Sequence, residues 1–210
     1  MEFLFTPLRR FTAALSYGAV ALGWLVMAAP AEAGSFRKVV IDPGHGGHDK
    51  GGKIGYIYEK HLALDVSFRL AKYLKDKRIS TELTRSRDEF VELEDRANMA
   101  NKIRDSIFVS IHFNWVSYGG PNGTETFYYS SAGYPLAYYI QSTVAAGLGT
   151  ASRGVKFARY KVLRTATVPA ALMEGGFIST ATERSRILDP RYRQKLAELI
   201  GEGILRFRRS

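Results

Sequence analysis

Four groups in this 210-residue chain are of the kinds that bind metal ions or move protons, and each stands beside a run that reads as a strand end or a helix start. His45 lies in Asp42-Pro-Gly-His45-Gly-Gly-His48-Asp49, directly after the apolar run Lys38–Ile41. Glu59 opens a stretch with Leu62 and Val66 three and seven residues on, so its carboxylate sits over the apolar face of a helix. His112 follows the run Ile107–Ile111, in Ser-Ile-His-Phe-Asn114. Glu174 follows Ala170–Met173, in Glu-Gly-Gly-Phe177. Two imidazoles and one carboxylate form a donor set suited to Zn2+ and leave a fourth position for water. A further carboxylate beside them is placed to serve as general base. Each group alone has an ordinary alternative: a Gly-rich turn, a favourable charge at a helix start, a satisfied structural histidine, a solvated turn carboxylate. Four groups of complementary type at one edge favour an enzyme.

The elements that must carry them alternate. Strand patterns at Lys38–Ile41, Thr81–Thr84, Ile107–Ile111, Thr124–Tyr129 and Ala170–Met173 are interleaved with helix patterns at Glu59–Leu74, Leu93–Ile103, Leu136–Leu148 and Tyr192–Phe207. This predicts an α/β fold with a mostly parallel sheet. The unbroken run at 107–111 suits a central strand buried on both faces. In such sheets, ligand sites gather beyond the carboxyl ends of the strands, where His45 and His112 both stand. His61 is two residues past Glu59, turned toward solvent.

One competing motif fails. Gly47-x4-Gly52-Lys53 resembles a phosphate-binding loop, but that loop needs Ser or Thr after the lysine, and position 54 is Ile. It must also open a helix, yet Gly-Tyr-Ile-Tyr follows.

Composition narrows the class further. The chain is 46% hydrophobic, too apolar for a disordered protein, and has no cysteine. Disulfides and thiolate-ligated metal are therefore excluded. Its formal charge of +10 points to an anionic partner. Residues 1–33 read as a signal peptide: Arg9-Arg10, an uncharged stretch from Phe11 to Ala31, then Ala31-Glu-Ala33. The alternative is an uncleaved membrane anchor, and the paired arginines leave Sec and twin-arginine export both open. Cleavage would remove two charges of each sign, so residues 34–210 keep the full +10. Export puts nucleic acid out of reach and makes the periplasm or cell envelope the expected location.

With these residues in view, the chain resembles the zinc-dependent N-acetylmuramoyl-L-alanine amidases, the type 3 branch of bacterial cell-wall hydrolases. The resemblance spans residues 37–207 and rests on six motifs in order: Val39–Gly47, Glu59-Lys60, Thr84-Arg85-x-x-Asp88, Ser110–Asn114, Gly123–Thr126 and Glu174–Ile178. It implies one catalytic domain over 34–210 with a six-stranded, mostly parallel sheet flanked by helices. It implies that His45, Glu59 and His112 hold Zn2+ and that Glu174 is catalytic. Asn114 and Glu125 are left to orient substrate or support the site. The implied reaction is hydrolysis of the bond between N-acetylmuramic acid and L-alanine of peptidoglycan, in wall remodelling or daughter-cell separation. Several regulated members insert a site-plugging helix after Ser-Ile-His-x-Asn. Only the short segment 115–123 follows here, so the expectation is activity without an activator. The rival readings are an inactive peptidoglycan-binding module and a zinc amide hydrolase acting on another exported peptide.

Overall fold

The structure is a computed structural model that describes residues 35–117 and 120–210. The expected signal segment lies outside the described residues. Among those described, no helix is long and apolar enough to cross a membrane.

In chain order the elements are β1 (Lys38–Pro43), a small hairpin of β2 (Lys53–Ile54) and β3 (Ile57–Tyr58), α1 (Glu59–Asp76), β4 (Ser80–Leu83), α2 (Leu93–Asn101), β5 (Ser106–Asn114), β6 (Thr124–Tyr128), α3 (Gly133–Leu148), β7 (Ser152–Phe157), α4 (Lys161–Thr165), β8 (Ala170–Phe177), α5 (Ala181–Leu188) and α6 (Pro190–Phe207). Six strands form one sheet in the order β4-β1-β5-β8-β6-β7. The first four run parallel, β6 is antiparallel to β8, and β7 is parallel to β6. The α/β fold with a mostly parallel sheet is thus as the residue pattern predicts, and β5 is central. Gly52-Lys53 enters the β2–β3 hairpin and opens no helix, in keeping with rejection of the phosphate loop.

Alternation along the strands divides the core. Val39, Ile41, Ile107, Val109 and Ile111 face one side, packed with the apolar faces of α1, α3 and α6. Val40, Phe108 and Leu172 face the other, under α2 and the single-turn-scale α4. Helix α6 starts where Asp189 accepts a bond from the Arg191 N–H and Pro190 takes the first helical position.

Several elements lie outside the sequence reading. The hairpin, β7, α4 and α5 carry no strong periodicity; β7 is an edge strand with only half-buried or exposed residues. Strand β8 runs through Glu174 to Phe177, whereas the Gly-Gly pair suggests an end at Met173. Those glycines serve packing within the strand: a side chain at Gly175 would start 2.6 Å from Leu196 Cδ2 and 2.9 Å from Phe113 Cε1.

Candidate active site

Strand register assembles the site. His112 on β5 is aligned with Glu174 on β8, and Glu174 with Glu125 on β6, so three polar side chains form a row across three strands. By alternation they share the face of Val40 and Leu172, the side that α2 and α4 cover. Those short helices leave a cavity of about 400 Å³ at the carboxyl ends of the strands, lined among others by His45, Glu59, His112, Asn114, Trp115 and Glu174. Helix α1 packs on the opposite face, but Glu59 is its first residue and reaches across the end of the sheet.

His45, Glu59 and His112 converge, each offering a ligand atom within 4.8 Å of the other two. Glu59 Oε1 lies 3.1 Å from His45 Nε2 and 2.9 Å from His112 Nδ1. The same oxygen accepts the Phe113 N–H at 3.1 Å, while Oε2 accepts the Gly52 N–H at 2.8 Å. Burial alone would raise the Glu59 pKa, but bonds to His112 and His45 hold it far below the usual range. His45 is shifted upward: burial opposes its charge, and the Glu59 and Asp49 carboxylates outweigh burial. Tetrahedral zinc with ligands at about 2.0–2.1 Å brings its donors to roughly 3.3 Å of one another. Neutral-to-anionic N and O donors at 2.9 and 3.1 Å fit that ion, and no thiolate is required.

The carboxylate of Asp49 was not singled out by the sequence, yet Oδ2 accepts a bond from His45 Nδ1 at 2.8 Å. It orients the ring so that Nε2 faces the centre. The four-residue spacing from His45 was the only available signal.

His45 has φ of 60°, a left-handed conformation uncommon for a residue with a side chain. Two buried guanidiniums hold its loop. Arg96 donates to Asp42 Oδ1 at 3.0 Å and to the carbonyls of Pro43 and His45, both at 2.8 Å. Arg85 donates to the carbonyls of Pro43 at 3.0 Å and Gly44 at 2.7 Å. Lys60 ties the far side through the Gly47 carbonyl and Asp88. Asp42 is itself held by the Thr84 and Ser110 hydroxyls. The loop glycines serve close approach of protein to protein: a Cβ at Gly44 would fall 2.3 Å from His112 Cε1. His48 packs on Phe90 and His61 stands half-exposed beside Asp88; neither joins the centre.

Glu174 is half-buried, and its Oε2 is shielded from solvent without a hydrogen-bond partner. Burial first, then the charges of Glu59 and Glu125, push its pKa well above the ordinary carboxylate value. An unpartnered carboxylate beside three converging donors is a group ready to hold a proton. Asn114 is at the cavity but its amide donates to Glu125 Oε1 at 2.7 Å.

Known proteins are similar to this chain in sequence and in backbone. The profile of the family described as N-acetylmuramoyl-L-alanine amidase matches residues 39–206. N-acetylmuramoyl-L-alanine amidase LytC of Bacillus subtilis is 37% identical over 175 residues, covering 81% of this chain and 35% of the relative. The sporulation-specific N-acetylmuramoyl-L-alanine amidase of the same organism is 37% identical over 172 residues, 80% of this chain and 66% of its own length. The chain therefore spans from about a third to two thirds of these curated relatives. Among solved structures, amidase AmiC2 of Nostoc punctiforme superposes with a TM-score of 0.80 at 37% identity, covering 84% of this chain and all of that one. Matched over most of its length in sequence and in backbone, the chain belongs to the N-acetylmuramoyl-L-alanine amidase family.

Proposed function

We propose that this chain hydrolyses the amide bond between N-acetylmuramic acid and the L-alanine of peptidoglycan stem peptides, with Zn2+ held by His45, Glu59 and His112 and with Glu174 as the proton-transfer group. The observation that carries the reading is the pairing of three converging donors with one shielded, unpartnered carboxylate in the same cavity. Zinc would supply Lewis acidity toward the scissile carbonyl and lower the pKa of the attacking water.

The chain's own residues do the rest. Glu174, its proton affinity raised by burial and by neighbouring carboxylates, takes a proton from water as the water adds to the carbonyl carbon. It then delivers that proton to the departing nitrogen. The products are a glycan strand with a free lactyl carboxylate and a stem peptide with a free amino terminus. Glu59 stays ionised throughout, since two backbone N–H groups and two imidazoles face it. Asn114 lines the cavity and contributes to substrate placement together with Glu125.

The same reading assigns residues 1–33 to export and the catalytic domain to the cell envelope, where the +10 charge favours the anionic wall. It also assigns activity without a protein activator. The test is hydrolysis of a purified muramoyl peptide by the isolated protein, followed by the appearance of amino-terminal alanine. Cleavage without any partner supports the amidase reading and the activator-free activity; dependence on an added activator refutes the latter.

A further inference from the structure

Glu125 stands directly behind Asn114 and Glu174, buried, with 5% of its side chain exposed. Its Oε1 accepts from Asn114. Its Oε2 alone receives two cations, Arg153 Nε at 3.0 Å and Lys156 Nζ. Two positive charges thus share one negative charge, and neither cation is paired with Glu174. The cluster keeps a net positive charge at the carboxyl end of the sheet.

The guanidinium of Arg153 is also fixed in place. Its centre lies 5.2 Å from the centroid of the Phe177 ring, and its Nε bond to Glu125 sets its rotation. The described residues offer no hydrogen-bond partner to its two terminal nitrogens, and a third of the side chain remains exposed. A planar fork, pre-oriented from behind and open in front, is the arrangement that grips a carboxylate with two parallel bonds. Lys156, 39% exposed, adds positive potential at the same rim. Gly154, at φ of 80° between them, lies in the irregular stretch of the β6–β7 pairing that lets both cations reach one oxygen.

We propose that Arg153, backed by Glu125 and Phe177 and assisted by Lys156, is a receptor for a carboxylate of the peptide portion of the substrate. The proposal rests on the amidase reading and deepens it: the row His112–Glu174–Glu125 continues outward to Arg153, so the subsite recognises an acidic peptide on the β7 side of the cleaved bond. Glu125 is then a positioning residue, since it acts through the guanidinium.

Two measurements test this on the full zinc-loaded protein. The first compares kcat/KM for a soluble muramoyl peptide bearing free side-chain carboxylates with that for its carboxamide counterpart. The natural sequence should prefer the carboxylate by about tenfold or more, the size of one charge-assisted pair. Arg153→Gln should collapse the preference through KM, Arg153→Lys should restore part of it, and Arg191→Gln, an equal charge loss on α6, should leave it intact. The second titrates the free acidic stem peptide, without a glycan, into the same proteins. Its affinity should fall about tenfold with Arg153→Gln and weaken with salt. Equal rates on both substrates, or a preference that survives Arg153→Gln, overturns the subsite. If no muramoyl peptide is cleaved at all, the amidase reading fails, and the titration alone decides the subsite: affinity insensitive to Arg153→Gln overturns it.

Discussion

At the residue scale, the division of labour among four carboxylates is set by what faces each of them. Glu59 has donors on both oxygens and stays ionised; Glu174 has a shielded oxygen with none and holds its proton more tightly. Glu174→Gln keeps the shape and removes the proton-accepting group. It should lower turnover by 10²- to 10⁴-fold, on the order expected of a general base, while zinc content by atomic absorption stays near one per chain. His112→Ala should lose both metal and turnover. Asp49→Asn should leave the fold intact yet weaken zinc affinity by roughly 10- to 100-fold, read by competition with a chromogenic chelator. The proposed ligands were legible in the sequence because their residue types and their places at strand ends or a helix start are local properties. Asp49 was not, and Glu125 was named only as support for the site, because the value of each lies in the partner it meets in three dimensions, His45 on one side and Arg153 on the other.

At the element scale, the site is a matter of register and of uneven cover. A one-residue slip of β8 against β5 would turn Glu174 to the α1 face. Sequence periodicity located β1, β5, α1 and α6, whose apolar spacing is strong, but it carries no information on which residues stand opposite one another. It also passed over α4, α5 and β7, which are short or exposed, and it stopped β8 at a glycine pair that packing in fact requires. Arg96 on α2 was read only as a helix position; it is a 1%-exposed cation that joins Asp42 on β1 to the His45 loop. Removing one partner of such a pair leaves the other charge buried, so Arg96→Met should cost about 3–5 kcal/mol in urea unfolding. A gentler joint links α1 to α6, where Asp65 accepts from Arg69 and Arg193. Burial would raise the Asp65 pKa, but those bonds bring it below the usual value. A carboxylate with a depressed folded pKa stabilises the fold above its unfolded pKa of about 3.9 and loses that contribution as pH falls through the folded one. Asp65→Asn should therefore lower stability at pH 7, by about 1 kcal/mol or less at so exposed a site. The deficit should shrink on acidification below pH 4; a deficit unchanged at pH 2 would contradict the assignment.

At the scale of the whole molecule, the placement of four groups at strand ends or a helix start is a consequence of the fold. An α/β sheet thickly covered on one face and thinly on the other brings three converging donors, His45, Glu59 and His112, and the shielded carboxylate of Glu174 into one cavity. Outside the Arg153–Lys156 subsite, the formal excess of ten positive charges is expected to act on attraction to the anionic wall. Binding to wall material should weaken as salt rises and the Debye length shortens, whereas kcat on a small neutral substrate should not change. Zinc held as proposed would bind only the folded chain, so chelation should lower the melting temperature, and restored zinc should recover it. The central claim is that these parts together cut the bond between muramic acid and alanine. The most direct measurement is digestion of purified sacculi by the zinc-loaded protein, with a chelated sample alongside, and mass analysis of the released fragments. The account predicts unsubstituted glycan and free stem peptides beginning with alanine, and neither when zinc is removed. Fragments of glycan with peptides still attached, or unchanged release in the chelated sample, would contradict it.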